Sequence, residues 1–131
     1  MTKLVITIPG LVLASPNTKR FTTRVGAAME TRRVRNIRQC VKLHCMAALK
    51  RRKATPSKII VRRLSVGRLD DGNLANAFKP AEDGIADALG VNDKCFVWFG
   101  DRDGIPFVPM QEKCKRGAHG VVIELHFAEA A

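Results

Sequence analysis

The longest regular pattern in this sequence predicts a helix. Residues 24–52 contain no proline and only one glycine, Gly26, and their apolar residues recur three or four positions apart. These apolar residues are Val34, Ile37, Val41, Cys45, Ala48 and Leu49. This spacing places them on one side of an α-helix, which has to bury that side against another element of the chain.

Shorter segments around this helix alternate apolar and polar residues, which is typical of β-strands. In one of them, Ile59, Val61 and Arg63 share a face because every second residue of a strand points the same way. A short apolar run at residues 95–99 predicts a buried strand. The predicted strands are residues 3–8, 58–66, 95–99 and 121–127.

A second helical pattern follows a polar turn at residues 68–73. Its apolar positions are Leu74, Ala77, Phe78, Ala81, Ile85, Ala88 and Leu89. Gly90 stands where helices commonly end. Pro80 lies inside the pattern and predicts either a kink or a new helix start, because proline removes a helical hydrogen bond.

These elements together predict a single α+β domain over residues 1–131. Residues 100–120 carry glycines and prolines and are predicted to be a long loop. The element order is β-α-β-α-β-β, a small mixed β-sheet of about four strands with two main helices.

The charge of the chain is strongly uneven. Lys and Arg number 23 and Asp and Glu 12, giving a formal net charge of +11. Residues 1–68 hold 17 of the 23 basic residues and one acid, Glu30, whereas residues 69–131 hold 11 acids. A basic half joined to an acidic half favours a polyanionic partner such as DNA. A basic face that is only solvated is the alternative.

The predicted DNA contacts are cations that exceed what helix termination and solubility require. They are Arg35, Arg38, Lys42, Arg51, Arg52, Lys53, Arg68, Lys113, Lys115 and Arg116.

Carboxylates in turns suggest where chemistry could occur. Asp70 and Asp71 precede the second helix, Asp93 follows it, and Lys79 and Asp83 lie between them. Mg²⁺ binds one or two carboxylates together with water and phosphate oxygens, and a lysine can stabilise developing charge. Asp70, Asp71 and Asn73 are also good candidates to cap the helix, and these residues alone favour capping over catalysis.

Two segments resemble the phage and prophage branch of the RusA family of Holliday-junction endonucleases. The first is similar over Leu69-Asp70-Asp71-Gly72-Asn73-Leu74, Ala77-Phe78-Lys79 and Asp83-Gly84-Ile85-Ala86-Asp87-Ala88-Leu89-Gly90-Val91-Asn92-Asp93. The second is similar over Gln111-Glu112-Lys113 and Gly120-Val121-Val122-Ile123-Glu124. The motif covers about a fifth of the chain closely, and the remainder matches only in the order of its elements.

The resemblance implies a homodimeric crossover-junction endodeoxyribonuclease of recombination and repair. Such an enzyme binds branched double-stranded DNA and cleaves phosphodiester bonds with Mg²⁺, or with Mn²⁺ in its place. The resemblance assigns Asp70 and Asp93 as metal carboxylates, Lys79 as the essential lysine and Asp83 as a further acid. It implies no membrane and no small-molecule cofactor.

Two departures from the family motif support a second hypothesis. Gly72 stands where the family has its second motif carboxylate, and Asp71 is the adjacent substitute that completes the predicted metal set of Asp70, Asp71 and Asp93. Pro80 follows Lys79, where the family has an ordinary helix residue. The alternative is therefore a catalytically impaired, structure-specific DNA-binding protein on the same fold.

A third hypothesis, a basic nucleic-acid module unrelated to the nucleases, has less support. Aromatic residues make up only 5% of the chain. Phe96, Trp98 and Phe99 are predicted to lie in the core, which disfavours a platform that stacks single-stranded bases.

The distance between the predicted metal residues has its own consequence. If residues 74–89 formed one straight helix, its ends would lie about 24 Å apart. Asp70 and Asp93 of one chain could then not share a metal ion. We therefore expect a site that joins Asp70 of one subunit to Asp93 of another, as a two-fold dimer allows.

Neither the start of the sequence nor its cysteines indicates export. The apolar runs are far shorter than the roughly 20 residues of a membrane span, so a cytoplasmic protein of a bacterium or a phage-infected cell is expected. The four cysteines lack a C-x2-C pair and are interpreted as reduced thiols. The alternative, a zinc site, would have to draw on Cys40, His44, Cys45, Cys114 or His119.

Overall fold

The computed structural model describes residues 2–14, 23–52, 54–100 and 102–128. The described elements are β1 (Thr2–Pro9), α1 (Arg24–Leu49), β2 (Lys58–Ser65), α2 (Asp71–Leu89), a one-turn 3-10 helix (Asp93–Cys95), β3 (Phe96–Trp98), β4 (Ile105–Lys113) and β5 (Gly120–Phe127). The predicted α+β class is confirmed, with two α-helices and a sheet of five strands rather than four.

The sheet is mixed and has the strand order β1-β5-β2-β4-β3. β5 pairs antiparallel with β1 on one side and with β2 on the other. β2 and β4 are parallel, and so are β4 and β3. The chain leaves the end of β2 through α2 and returns to the opposite end of the sheet before β3, as a parallel pairing requires.

The extra strand, β4, lies where the sequence predicted a loop. Its two prolines obscured the strand pattern, because proline cannot donate a ladder hydrogen bond. Pro106 precedes the part of β4 that pairs with β2, and Pro109 lies beyond the part that pairs with β3. Each proline therefore pairs with a strand on one side only. On its other side the missing N–H deprives no neighbouring strand of a hydrogen-bond donor.

The hydrophobic core lies between one face of the sheet and the two helices. Inward-facing strand residues such as Ile59 and Ile123 pack in one cluster with Val41 of α1 and Phe78 of α2. On the other face most strand side chains are exposed or half-buried, as Val5 is at 54% exposure, although Val97 and Glu124 are buried. Within the described ranges, neither helix is long and apolar enough to cross a membrane.

Helix α1 begins at the predicted residue and ends three residues earlier than predicted. Thr23 caps its N-terminus, and its side chain accepts a hydrogen bond from the Gly26 N–H. Lys50 and Arg51 adopt left-handed torsions, φ 48° and 68°. Lys50 and Arg51 therefore lie in a turn after the helix and not in its last turn.

Helix α2 passes through Pro80 as one element, so the predicted new start at Pro80 is wrong. Pro80 is buried, and the carbonyl that loses its helical donor belongs to Asn76, at an exposed position where water can bind it. Asp70 caps the N-terminus, and Gly90 ends the helix in a left-handed conformation, φ 71°. Both positions follow the sequence prediction.

The turn between β3 and β4 explains a second difference from the prediction. Phe96 is buried, but Phe99 adopts φ 63° and is 67% exposed, so its predicted place in the core is wrong. Gly104, at φ 141°, has no room for a side chain, because a Cβ there would lie 2.8 Å from the Cys95 carbonyl oxygen. The tight turn between β3 and β4 therefore directs Phe99 out of the strand.

Candidate functional site

Lys79, Asp83 and Asp93 meet on the surface of α2. Lys79 and Asp83 lie one helical turn apart, with Nζ and Oδ1 separated by 3.1 Å. The 3-10 helix brings Asp93 alongside, where it accepts a hydrogen bond from Lys79 Nζ. The structure therefore brings together three of the five predicted catalytic residues.

The contacts among these three residues shift the pKa values of Lys79 and Asp93. The hydrogen bond from Lys79 lowers the pKa of Asp93. Burial opposes the charge on Lys79, but hydrogen bonds to Asp93 and Asp83 outweigh it and raise the pKa of the amine. Near neutral pH the raised pKa of Lys79 and the lowered pKa of Asp93 therefore favour an ion pair between these two residues.

Arg38 of α1 extends the group. Its Nε and Nη2 donate to both carboxylate oxygens of Asp87, at 2.6 and 2.9 Å, and its Nη1 lies 4.0 Å from Asp83. The hydrogen bond raises the pKa of Arg38 and lowers that of Asp87. Gly84 permits the close approach of α2 to α1 at this point, since a Cβ there would lie 2.6 Å from the Arg38 carbonyl oxygen.

Glu82 is a site residue that the sequence analysis did not single out. It is only 7% exposed, and burial raises the pKa of its carboxyl group, which also makes a hydrogen bond with Trp98. The nearby charge of Lys79 partly offsets that rise. The signal was available, because Glu82 stands four residues after buried Phe78 and three before buried Ile85.

Asp70 lies at the other end of α2. Its Oδ1 accepts from the backbone N–H of Asn73 at 3.1 Å and from its side-chain amide at 2.6 Å. Gln111 holds the preceding residue, Leu69, through hydrogen bonds to its N–H (2.8 Å) and carbonyl (3.0 Å). The side chain of Asp71 lies outside the described part of the structure. Asp70 is thus both the helix cap and a carboxylate on a fixed backbone.

Within one chain, Asp70 and Asp93 are well separated. Lys79, which contacts Asp93, stands eight positions after Asp71 in the helix, a rise of about 12 Å. Metal–oxygen bonds to Mg²⁺ are about 2.1 Å long, so one ion cannot bridge that distance. The continuous helix keeps the two predicted metal carboxylates of a single chain apart.

The predicted DNA contacts on the first half of the chain lie on and after α1. Arg35 is exposed and Lys42 is half-buried, whereas Arg38 is paired as described above. Arg51 and Arg52 are exposed in the turn after the helix, and the Arg52 guanidinium lies 4.9 Å from the centre of an aromatic ring of β5. Lys53 lies outside the described residues.

The remaining predicted DNA contacts gather where the parallel strands β2 and β4 end. Arg68 and Lys113 line a shallow cavity of about 300 Å³ together with Gln111. Lys115 and Arg116 follow in the exposed turn before β5. Asp70 follows β2 at this same end of the sheet, so this basic group lies near Asp70 rather than near Asp93.

Metal binding is compatible with Asp70, although the described residues of one chain do not group further metal ligands around it. Among the described residues, no three His, Cys, Asp or Glu side chains are grouped to hold a metal ion. Asp70 Oδ2 makes no hydrogen bond to a described residue, since both bonds to this carboxylate use Oδ1. Mg²⁺ needs only one or two carboxylates, so this donor set fits it.

The sequence matches no model of a known protein family. It has no significant match among curated proteins. The resemblance to the RusA family therefore stands on the residues quoted above.

Proposed function

We propose that this chain is a Mg²⁺-dependent endonuclease that binds four-way DNA junctions as a homodimer and cleaves phosphodiester bonds. The observation that supports it most is the contact of Lys79 with both Asp83 and Asp93. The resemblance assigned roles to all three residues, although they stand up to 14 positions apart, and they meet at a partly exposed surface next to the basic helix α1.

The ion pairs at this site define what the protein's own groups can do. Lys79, with its raised pKa, is a fixed cation that can stabilise charge on a phosphate. Asp93, with its lowered pKa, remains a carboxylate at neutral pH. Bound Mg²⁺, or Mn²⁺, would supply a Lewis acid that steadies the phosphate and lowers the pKa of bound water.

A metal site that uses both Asp70 and Asp93 requires two subunits, because these residues of one chain cannot reach the same ion. In the proposed dimer Asp70 faces Asp93 of the partner subunit, giving two sites for two symmetric cuts. Mixing an Asp70→Asn chain with an Asp93→Asn chain should restore one intact site per heterodimer. If the mixture stays as inactive as each variant alone, the shared site is wrong.

The main test is cleavage of a synthetic four-way junction with Mg²⁺. We expect Asp93→Asn and Asp70→Asn to slow cleavage on the order of 100-fold, as loss of a charge-stabilising group does. Asp103→Asn is the matched control, because Asp103 is an exposed acid in the turn before β4 and has no proposed role. Equal cutting by the wild type and the two site variants would reject the nuclease.

A second candidate, a junction-binding protein without catalysis, is favoured by Gly72. A Cβ at this position meets only Asp70 Oδ1, at 3.9 Å, so an aspartate fits there but is absent. Tight, salt-sensitive junction binding without cleavage would select this function. In that case Gly72→Asp should raise cleavage above the wild-type level, whereas Gly72→Asn, of the same size but uncharged, should not.

A further inference from the structure

A cavity of about 330 Å³ opens at the end of β2, beside the turn that leads into β5. Its lining includes Leu13, Arg63, Arg116 and His119. Among the described residues, no Asp or Glu lines it. Its volume is at the lower end of the range for small-ligand sites, so it suits a single phosphate group with its attached sugar rather than a base pair.

Arg63 gives this cavity a buried positive charge. The residue is 8% exposed, because the alternation along β2 turns it toward the core side with Ile59 and Val61. Its Nε donates to the Leu13 carbonyl at 2.6 Å, and its Nη1 donates to the carbonyl of Gly67 at 3.0 Å. These acceptors are neutral, and no carboxylate of the described residues pairs with Arg63.

Three N–H groups of Arg63 remain to be accounted for, one on Nη1 and two on Nη2. Nη1 also donates to Gln111 Oε1 at 3.3 Å, whereas Nη2 makes no hydrogen bond to a described residue. Nη2 is not fully buried, although the residue as a whole is only 8% exposed. Arginine stays protonated in proteins even where, as here, burial lowers its pKa. Most of the Arg63 side chain is buried without a carboxylate partner among the described residues, which makes an anion at the accessible Nη2 favourable.

Arg116 adds a second arginine to the lining of the same cavity. It lies in an exposed turn and makes no ion pair with a described residue. Two guanidinium groups that share a cavity without a carboxylate repel each other, and a phosphate relieves that repulsion through charge-assisted, often bidentate hydrogen bonds. The cavity therefore carries two cations and several unused donors.

We propose that this cavity is a phosphate-binding pocket in which Arg63 and Arg116 hold one backbone phosphate of a DNA strand. The preference for a phosphate follows from the pocket itself, and the choice of DNA rests on the function proposed above. Gln111 connects the pocket to the candidate metal carboxylate, because it bonds both Arg63 Nη1 and the backbone of Leu69, next to Asp70. A phosphate held here places the neighbouring stretch of strand close to Asp70.

The first arm of the test uses inorganic phosphate as the probe, in calorimetry and in amide chemical shifts of residues 116–119. We expect Arg116→Gln to weaken phosphate binding about tenfold or more, the effect of losing a hydrogen bond to a charged group. Lys58→Gln is the matched control, since Lys58 is exposed at the opposite end of β2. At 3.3 Å per residue it lies roughly 16 Å from Arg63. Equal phosphate affinity of the wild type and Arg116→Gln, or no phosphate binding by the wild type, would refute the proposed phosphate pocket.

Arg63→Gln extends the first arm, with thermal unfolding checked because Arg63 also holds two loop carbonyls. If this variant folds, it should lose phosphate binding as well, and retained binding would overturn the role of Arg63. If it does not fold, Arg116→Gln decides, since Arg116 is exposed and contributes little to folding.

The second arm measures junction binding against salt. Losing one phosphate contact should reduce the slope of log affinity against log salt by about 0.9 in Arg116→Gln, with no such change in Lys58→Gln. Phosphate binding with an unchanged DNA slope would keep the anion pocket and overturn DNA as its ligand. Phosphate binding by a protein that binds no junction at all would instead reject the proposed function while the pocket stands.

Discussion

Replacing Gly84 by alanine tests the close contact between α1 and α2. A Cβ at residue 84 would lie 2.6 Å from the Arg38 carbonyl oxygen and 2.9 Å from Val41 Cβ. Both neighbours are backbone or β-carbon atoms that cannot rotate away, so the helices must separate by roughly 1 Å to restore ordinary contact distances near 3.5 Å.

The expected loss of stability follows from two opposing effects. Overpacking of one methyl group costs about 1–3 kcal/mol, and the better helix propensity of alanine returns up to about 1 kcal/mol. We therefore expect the free energy of unfolding to fall by about 1–2 kcal/mol. For a domain of this size the Tm should drop by roughly 3–10 °C.

The matched control is Gly72→Ala in the same helix. A Cβ there meets only Asp70 Oδ1, at 3.9 Å, so we expect unchanged or slightly higher stability. Urea unfolding followed by circular dichroism measures both variants, with equal m-values as the check that only stability changed. A Gly84→Ala protein as stable as the wild type would refute the packing argument.

The remaining predictions concern buried, strained and paired groups. Burial raises the pKa of Cys45 to about 12 from an ordinary 9.0, so the folded thiol keeps its proton while the unfolded chain loses it. Stability should fall as the pH rises above 9, and less steeply in Cys45→Ala; mass spectrometry should show exposed Cys95 alkylated long before Cys45. Gly104→Ala should cost about 1–3 kcal/mol in urea unfolding, because φ 141° and the tight turn exclude a side chain; an unchanged midpoint would contradict it. Asp87→Asn should cost less than about 1 kcal/mol at neutral pH, since its pair with Arg38 is partly exposed. Because that pair lowers the pKa of Asp87, its contribution is present above the ordinary carboxyl pKa and lost in acid, so wild-type and variant stabilities should converge as the pH falls; a constant difference would refute the assignment.

Local sequence patterns were enough to predict most elements of the fold. The helical spacing of Ile37, Val41 and Cys45 predicted α1, and the cap residues Asp70 and Gly90 predicted where α2 begins and ends. These features depend on neighbours within a few positions, which is the range over which sequence periodicity and capping carry information. Strand β4 was missed because of its prolines. They are tolerated only because each neighbouring strand pairs with part of β4, and no local sequence pattern shows where that pairing begins or ends.

The candidate site divides in the same way. The residue types at Lys79, Asp83 and Asp93 suggested chemistry from the sequence, but their contact depends on the turn that returns the chain along α2. Glu82 was overlooked because a charged residue is expected at the surface, although its helical position pointed inward. Arg63 was assigned correctly to the face of Ile59 and Val61, yet nothing local showed that this face ends in a cavity.

What the sequence determined by itself is the inventory of elements, the charge division and the chemical types of the site residues, because these are properties of a residue and its near neighbours. Only the tertiary structure decided which distant residues meet: Arg38 with Asp87, Gln111 with Arg63 and Leu69, and Lys79 with Asp93. It also kept Asp70 and Asp93 of one chain apart. The physical reason is that the packing of α1 against α2 and the order of the strands depend on the whole core at once, and that packing sets the distances on which ion pairs and ligand sites depend.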